Sequence, residues 1–173
     1  MSIATIIAEK LDREIFFVPS LFLGEETPRS VFASVEVAEL LLGEWDDTRE
    51  GRRHKIARAT LDSFSEAGYI TIAENPFNKD ASAVLARVDP VHLEIWDFRC
   101  LDPRPGIRIL GCFIATDEFI ALSWDYRENF DDYEGWTRRI EHCRQEWLRL
   151  FGDIPPHSGD SLDAYVSYNC QPV

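Results

Sequence analysis

The stretch from His92 to Arg127, HLEIWDFRCLDPRPGIRILGCFIATDEFIALSWDYR, restricts the fold more than any other part of the chain. It holds three apolar runs, Leu93 to Phe98, Ile107 to Ile114 and Phe119 to Trp124. β-Branched and aromatic residues dominate them, and each is too short for a stable helix, so they read as strands. LDPRPG between the first two runs must turn, because its prolines remove backbone donors and Gly106 frees the backbone. ATDE between the second and third has the length of a hairpin loop. Two short links in succession imply an antiparallel meander, since a parallel crossover needs roughly a dozen residues or more. Leu93 and Ile95 point to one face while Trp96 and Phe98 point to the other, so both faces need apolar cover.

The flanking chain offers that cover. Residues 2–13 read as an amphipathic helix with Ser2 as N-cap and Ile3, Ile7 and Leu11 on one face. IFFVPSLFLG, residues 15–24, is apolar but interrupted by Pro19, which suits an edge strand. In SVFASVEVAELLLGEW, Val35, Ala38, Leu41 and Leu42 have helical spacing and Gly43 is a stop. Asp47 with Glu50 resembles a capping box for a helix running to Gly68. Ile56, Ala57, Thr60, Leu61, Phe64 and Ala67 would face inward, and Arg49, Arg52, Arg53, His54, Lys55 and Arg58 outward. Tyr69 to Ile72 reads as a strand, and Ala83 to Val88 as a strand or a helical turn. Trp136, Ile140, Cys143, Trp147 and Leu150 make a bulky stripe on a helix from about Glu134 to Phe151. The tail, residues 152–173, keeps Leu162, Tyr165, Val166 and Tyr168 and should pack on the body.

The expectation is an α+β fold: an antiparallel β-meander sheet covered by N-terminal helices and a C-terminal helix. One domain spans residues 1–173, with a mainly helical part to residue 68, the sheet over 69–127, the helix over 134–151 and the packed tail. At 173 residues and 45% hydrophobic composition the chain can bury a core. No apolar run approaches the roughly 20 residues that span a bilayer, and the N-terminus lacks a signal-peptide pattern, so a cytoplasmic protein is expected.

Charge and motifs narrow the function. A net charge of -13 opposes general nucleic-acid binding, though not a local basic site. Cys100, Cys112, Cys143 and Cys170 are scattered, and the four histidines show no metal-ligand spacing, so neither a metal nor a cofactor is expected. Nucleophile-elbow, P-loop and dinucleotide-binding motifs are missing. What stands out is an arginine trio on neighbouring strands, Arg99, Arg108 and Arg127. They could converge on one end of the sheet and grip a phosphate or carboxylate, or be neutralised by the acidic loop at 125–134. Arg108 should share a face with Leu110, Cys112 and Ile114, and Asp97 is a candidate cross-strand partner for it.

The motifs L-E-I-W-D-F-R, G-I-R-I-L-G-C-F and F-I-A-L, preceded by two helices and followed by one, resemble the RelE/HigB-type toxin fold and its phage-derived branch over about residues 45–147. That resemblance implies basic residues that hold messenger RNA on the ribosome for cleavage, with Arg99 and Arg108 at the matching positions. After the third strand the family usually carries lysines, where this chain has Arg127 and Glu128. Two functions follow as expectations. One is a toxin-type messenger RNA endoribonuclease or its inactive descendant, with Arg99, Arg108 and Arg127 on the scissile phosphate and Tyr126 or His92 as proton carrier. The other is a non-catalytic module whose acidic surface binds a basic protein partner, as an inhibitor mimicking nucleic acid would.

Overall fold

A computed structural model describes all 173 residues. Eight strands form one mixed sheet: β1 (Ile15–Phe17), β2 (Ser30–Ser34), β3 (Ile70–Ala73), β4 (Leu85–Arg87), β5 (Ile95–Cys100), β6 (Ile107–Ala115), β7 (Glu118–Tyr126) and β8 (Cys170–Pro172). Their order is β1-β2-β7-β6-β5-β4-β3-β8. The expected meander β5-β6-β7 lies at its centre and is antiparallel throughout. The helices are α1 (Ile3–Lys10), α2 (Val35–Leu42), α3 (Arg49–Ser65) and α4 (Tyr133–Phe151). The fold is α+β, as the sequence implies.

The alternation of β5 to β7 divides the core in two. Trp96, Phe98, Ile107, Ile109, Phe113, Phe119 and Ala121 face α2, α3 and the tail residues Tyr165 and Val166. Ile95, Leu110, Cys112, Ile114, Ile120 and Leu122 face α1 and α4, where Cys143, Trp147 and Leu150 of the expected stripe are buried. The tail is therefore a structural part of the cover. Gly111 marks a bulge in the β6–β7 pairing, and a Cβ there would stand 2.0 Å from the Ile120 carbonyl oxygen.

The sheet is wider than residues 69–127. Ser30–Ser34, ahead of the helical spacing that starts at Val35, is a strand that pairs in parallel with β7. Ser34 then caps α2 by accepting from the Val37 amide, so the hydroxyl converts strand to helix within one residue. The proline-interrupted segment supplies the edge strand β1, and its continuation Leu21–Leu23 is exposed. Residues 83–88 resolve as β4, parallel to β3. Ser2 caps α1 as expected, but Ile6 and Ile7 are its buried residues and Leu11 is exposed.

Helix α3 departs most from its sequence reading. Thr48 is its N-cap, with the Oγ1 accepting from the Gly51 amide, whereas Asp47 instead pairs with Lys55. Arg53 and Arg58, expected outside, are buried, while Ile56 is exposed. Arg58 donates to the carboxylate of Asp62 and to the carbonyls of Leu41 and Pro19. Burial of these arginines is compatible with folding because each guanidinium is answered by oxygens.

Candidate functional site

The β5–β6 turn, Leu101–Gly106, and the ends of the flanking strands enclose an open cleft of about 610 Å³. Arg99, Arg104, Arg108 and Arg127 line it, and no carboxylate does. The turn is tied down from behind. Arg49 and Arg53 of α3 donate to the carbonyls of Arg104 and Gly106, and the Arg127 amide also donates to Gly106. Gly106 is required by close approach, since a Cβ there would lie 1.9 Å from the Cys100 carbonyl oxygen.

Register brings the charges together. Arg99 of β5 stands directly opposite Arg108 of β6, which stands opposite Asp125 of β7. Two arginines facing across a ladder repel unless an anion intervenes. Asp97, fully buried two residues before Arg99, supplies one charge by pairing with Arg108. Asp125 is committed elsewhere, to Arg139 of α4 and to the side chain of Asn129. Arg127 pairs with Asp131 at 2.6 Å on the exposed loop, a contact of small energetic weight.

Arg99 and Arg104 keep their charge uncompensated. The Arg99 Nη1 donates only to the carbonyl of Asp80, at 2.7 Å. Burial, and then the neighbouring charges of Arg108 and Arg127, push its guanidinium below the usual arginine range, with Asp97 opposing. The Nε atoms of Arg99 and Arg108 are buried without hydrogen-bond partners. A bound oxyanion would relieve the repulsion between the guanidinium groups that line the cleft.

Thus Arg99, Arg108 and Arg127 share one cleft, joined by Arg104. The other two named residues lie apart. His92 sits in an exposed turn at the opposite end of β5, beside Trp147, Ile154 and Pro156. Tyr126 alternates to the other face of the sheet, where its hydroxyl lies 3.3 Å from His54 Nε2 and its ring stacks under Arg53. Neither residue is among those that line the arginine cleft. The period-2 side-chain rule applied to Tyr126 carries that information, because Arg108 and its cross-strand partner Asp125 lie on the opposite face. Arg104 was legible only as part of a turn. The basic Lys79 and aromatic Trp136 near the cleft come from a loop and a helix whose placement no local pattern specifies.

Acidic and aromatic neighbours complete the surroundings. The Glu128 carboxylate bonds to Arg53 at 2.8 Å and lies below the ordinary carboxylate range, burial opposing and the Arg53 hydrogen bond prevailing. No three histidine, cysteine or acidic side chains gather in a geometry that could hold a metal ion. No helix is long and apolar enough to cross a membrane. Among known proteins, no family model matches the chain, and neither a curated protein nor a solved structure matches it.

Proposed function

We propose that this chain is a RelE-like protein of the non-cleaving kind, which holds the phosphodiester backbone of RNA in the arginine cleft. One observation carries the reading: four arginines line a single cleft without a carboxylate in its wall, and two of them have no acidic partner. Guanidinium groups match phosphate geometry through paired N–H donors. Binding, not cleavage, is the favoured outcome because neither His92 nor Tyr126 reaches the cleft, so a bound phosphodiester lacks those proton carriers. The resemblance of the β5, β6 and β7 motifs to RelE-type toxins supports RNA as the class of ligand and a cytoplasmic setting near ribosomes.

The test is anisotropy with labelled single-stranded RNA over a range of salt concentrations. Two to three phosphate contacts predict a log–log slope of about -1.4 to -2. Arg99→Gln, which breaks only a backbone contact, should weaken binding and lower that slope by about 0.7. RNA should remain intact, and expression of the wild type should leave bacterial growth unaffected. Salt-independent binding, or none, would reject the reading; transcript cleavage lost in Arg99→Gln would restore an active toxin.

A further inference from the structure

Beyond the arginine cleft, against the first turns of α4, lies a second groove of about 620 Å³. One ring links the two. The Arg108 guanidinium lies 5.2 Å from the centre of the Trp136 ring, and the Lys79 Nζ lies 5.6 Å from it. The loop after β3 walls both spaces: Ala81 lines the cleft, Pro76 and Lys79 line the groove, and the Asp80 carbonyl between them holds Arg99. Lys79 forms no ion pair. Burial pushes its ammonium below the usual range; Asp97 opposes this, and Arg108 and Arg99 add to it. On the groove's outer side Tyr133, the first residue of α4, is 85% exposed.

We propose that this groove is a nucleobase subsite: a single-stranded nucleic acid with its phosphate on Arg99 and Arg104 lays the adjoining base against the Tyr133 ring. The proposal rests on the phosphate-binding reading of the cleft. Charge complementarity to a phosphate comes from the cleft, where Arg99 and Arg104 have no carboxylate partner; the groove itself holds Lys79 together with Asp89 and Glu141, a mixed lining that suits a neutral base better than a second phosphate. An aromatic ring beside the groove suits a flat ligand with polar edges. Asp89, Thr137 and Glu141 at the rim offer acceptors and a hydroxyl to the exocyclic groups of a base. A duplex fits less well, because its bases are already stacked and paired. Stacking on an aromatic side chain is sequence-tolerant, so the subsite would favour an unpaired base over any particular letter.

The decisive comparison uses the full chain with two fluorescein-labelled probes, a short oligouridylate and an abasic oligomer of equal length. The wild type should bind oligouridylate roughly fivefold to a hundredfold more tightly than the abasic probe. Tyr133→Ala, at an exposed position that burial does not constrain, should abolish this advantage while leaving abasic binding unchanged. Tyr133→Phe should retain it. Arg99→Gln should weaken both probes. Equal affinity of the wild type for the two probes, or an advantage that survives Tyr133→Ala, would overturn the base subsite while leaving the phosphate reading intact. Failure to bind either probe would overturn both. Competition by polyglutamate as strong as by unlabelled oligouridylate would assign the cleft to an acidic peptide instead.

Discussion

The buried ion pair of Arg108 and Asp97 sets the terms on which the cleft exists. Asp97 is fully buried, and its Oδ1 has no hydrogen-bond partner, so its charge depends on the guanidinium beside it. Removing one member of a buried pair strands the other in a medium that solvates it poorly. Arg108→Met should therefore cost about 3–5 kcal/mol, while Arg108→Met combined with Asp97→Leu should recover most of that loss. Denaturant midpoints of the two variants check this; equal destabilisation would mean that the pair is not what holds this part of the sheet. His54 gives a second residue-scale prediction. Burial, and then the neighbouring Arg53, lower its pKa from the ordinary 6.5, so the folded state favours the neutral ring. Its contribution to stability is present above 6.5 and declines as pH falls below that value toward the lower folded one. His54→Gln should flatten the pH dependence of stability just below pH 6.5, measured by urea denaturation.

At the scale of elements, the three central strands were legible and the face of α3 was not, for physical reasons. Turn chemistry brackets β5, β6 and β7 on both sides, and a strand's two-residue period leaves little freedom once one side chain is assigned. That is why the sharing of a face by Arg108 and Leu110, and the pairing of Arg108 with Asp97, follow from sequence. Helix α3 is different because an arginine is apolar along its stem and charged only at its tip. Arg53 and Arg58 bury their stems and satisfy their tips on Gly106, Glu128, Leu41, Pro19 and Asp62, partners distant or unremarkable in sequence. The position of Lys79 and Trp136 beside the cleft depends on how a loop and α4 sit on the sheet, which no local pattern specifies. Boundaries failed where two residues competed for one role. Asp47 and Thr48 both suit an N-cap, yet only Thr48 bonds to an amide of the first turn. Thr48→Ala should cost about 1 kcal/mol by thermal denaturation, and Asp47→Ala, which loses only an exposed contact to Lys55, well under that.

On the scale of the whole molecule, the two covers of the sheet differ in how they are attached. Helices α1 and α4 cover one face, whereas part of the other is closed by the tail, which returns after α4. Tyr165 is the tail's anchor. Its ring packs 4.9 Å from Trp96 and 5.4 Å from Phe113, and its hydroxyl bonds to Glu94 at 2.8 Å and receives the Gly159 amide at 2.9 Å. Beyond it, Ser167 bonds to Asp117, and β8 extends the sheet beside β3. The cleft depends on this cover, because Trp96 immediately precedes Asp97 and opposes Gly111, three residues along β6 from Arg108. Tyr165→Ala should cost about 3–5 kcal/mol, the range for removing a buried aromatic ring. Ending the chain after Asn169 removes only the edge strand β8 and should cost less than the ring. Ending it after Gly159 uncovers Trp96 and Phe113 and should produce a species that binds a hydrophobic dye and loses its near-ultraviolet circular dichroism. Retention of cooperative unfolding by the shorter chain would show that α2 and α3 close this face without the tail; its loss would make the tail a condition for the strand geometry that assembles the arginines.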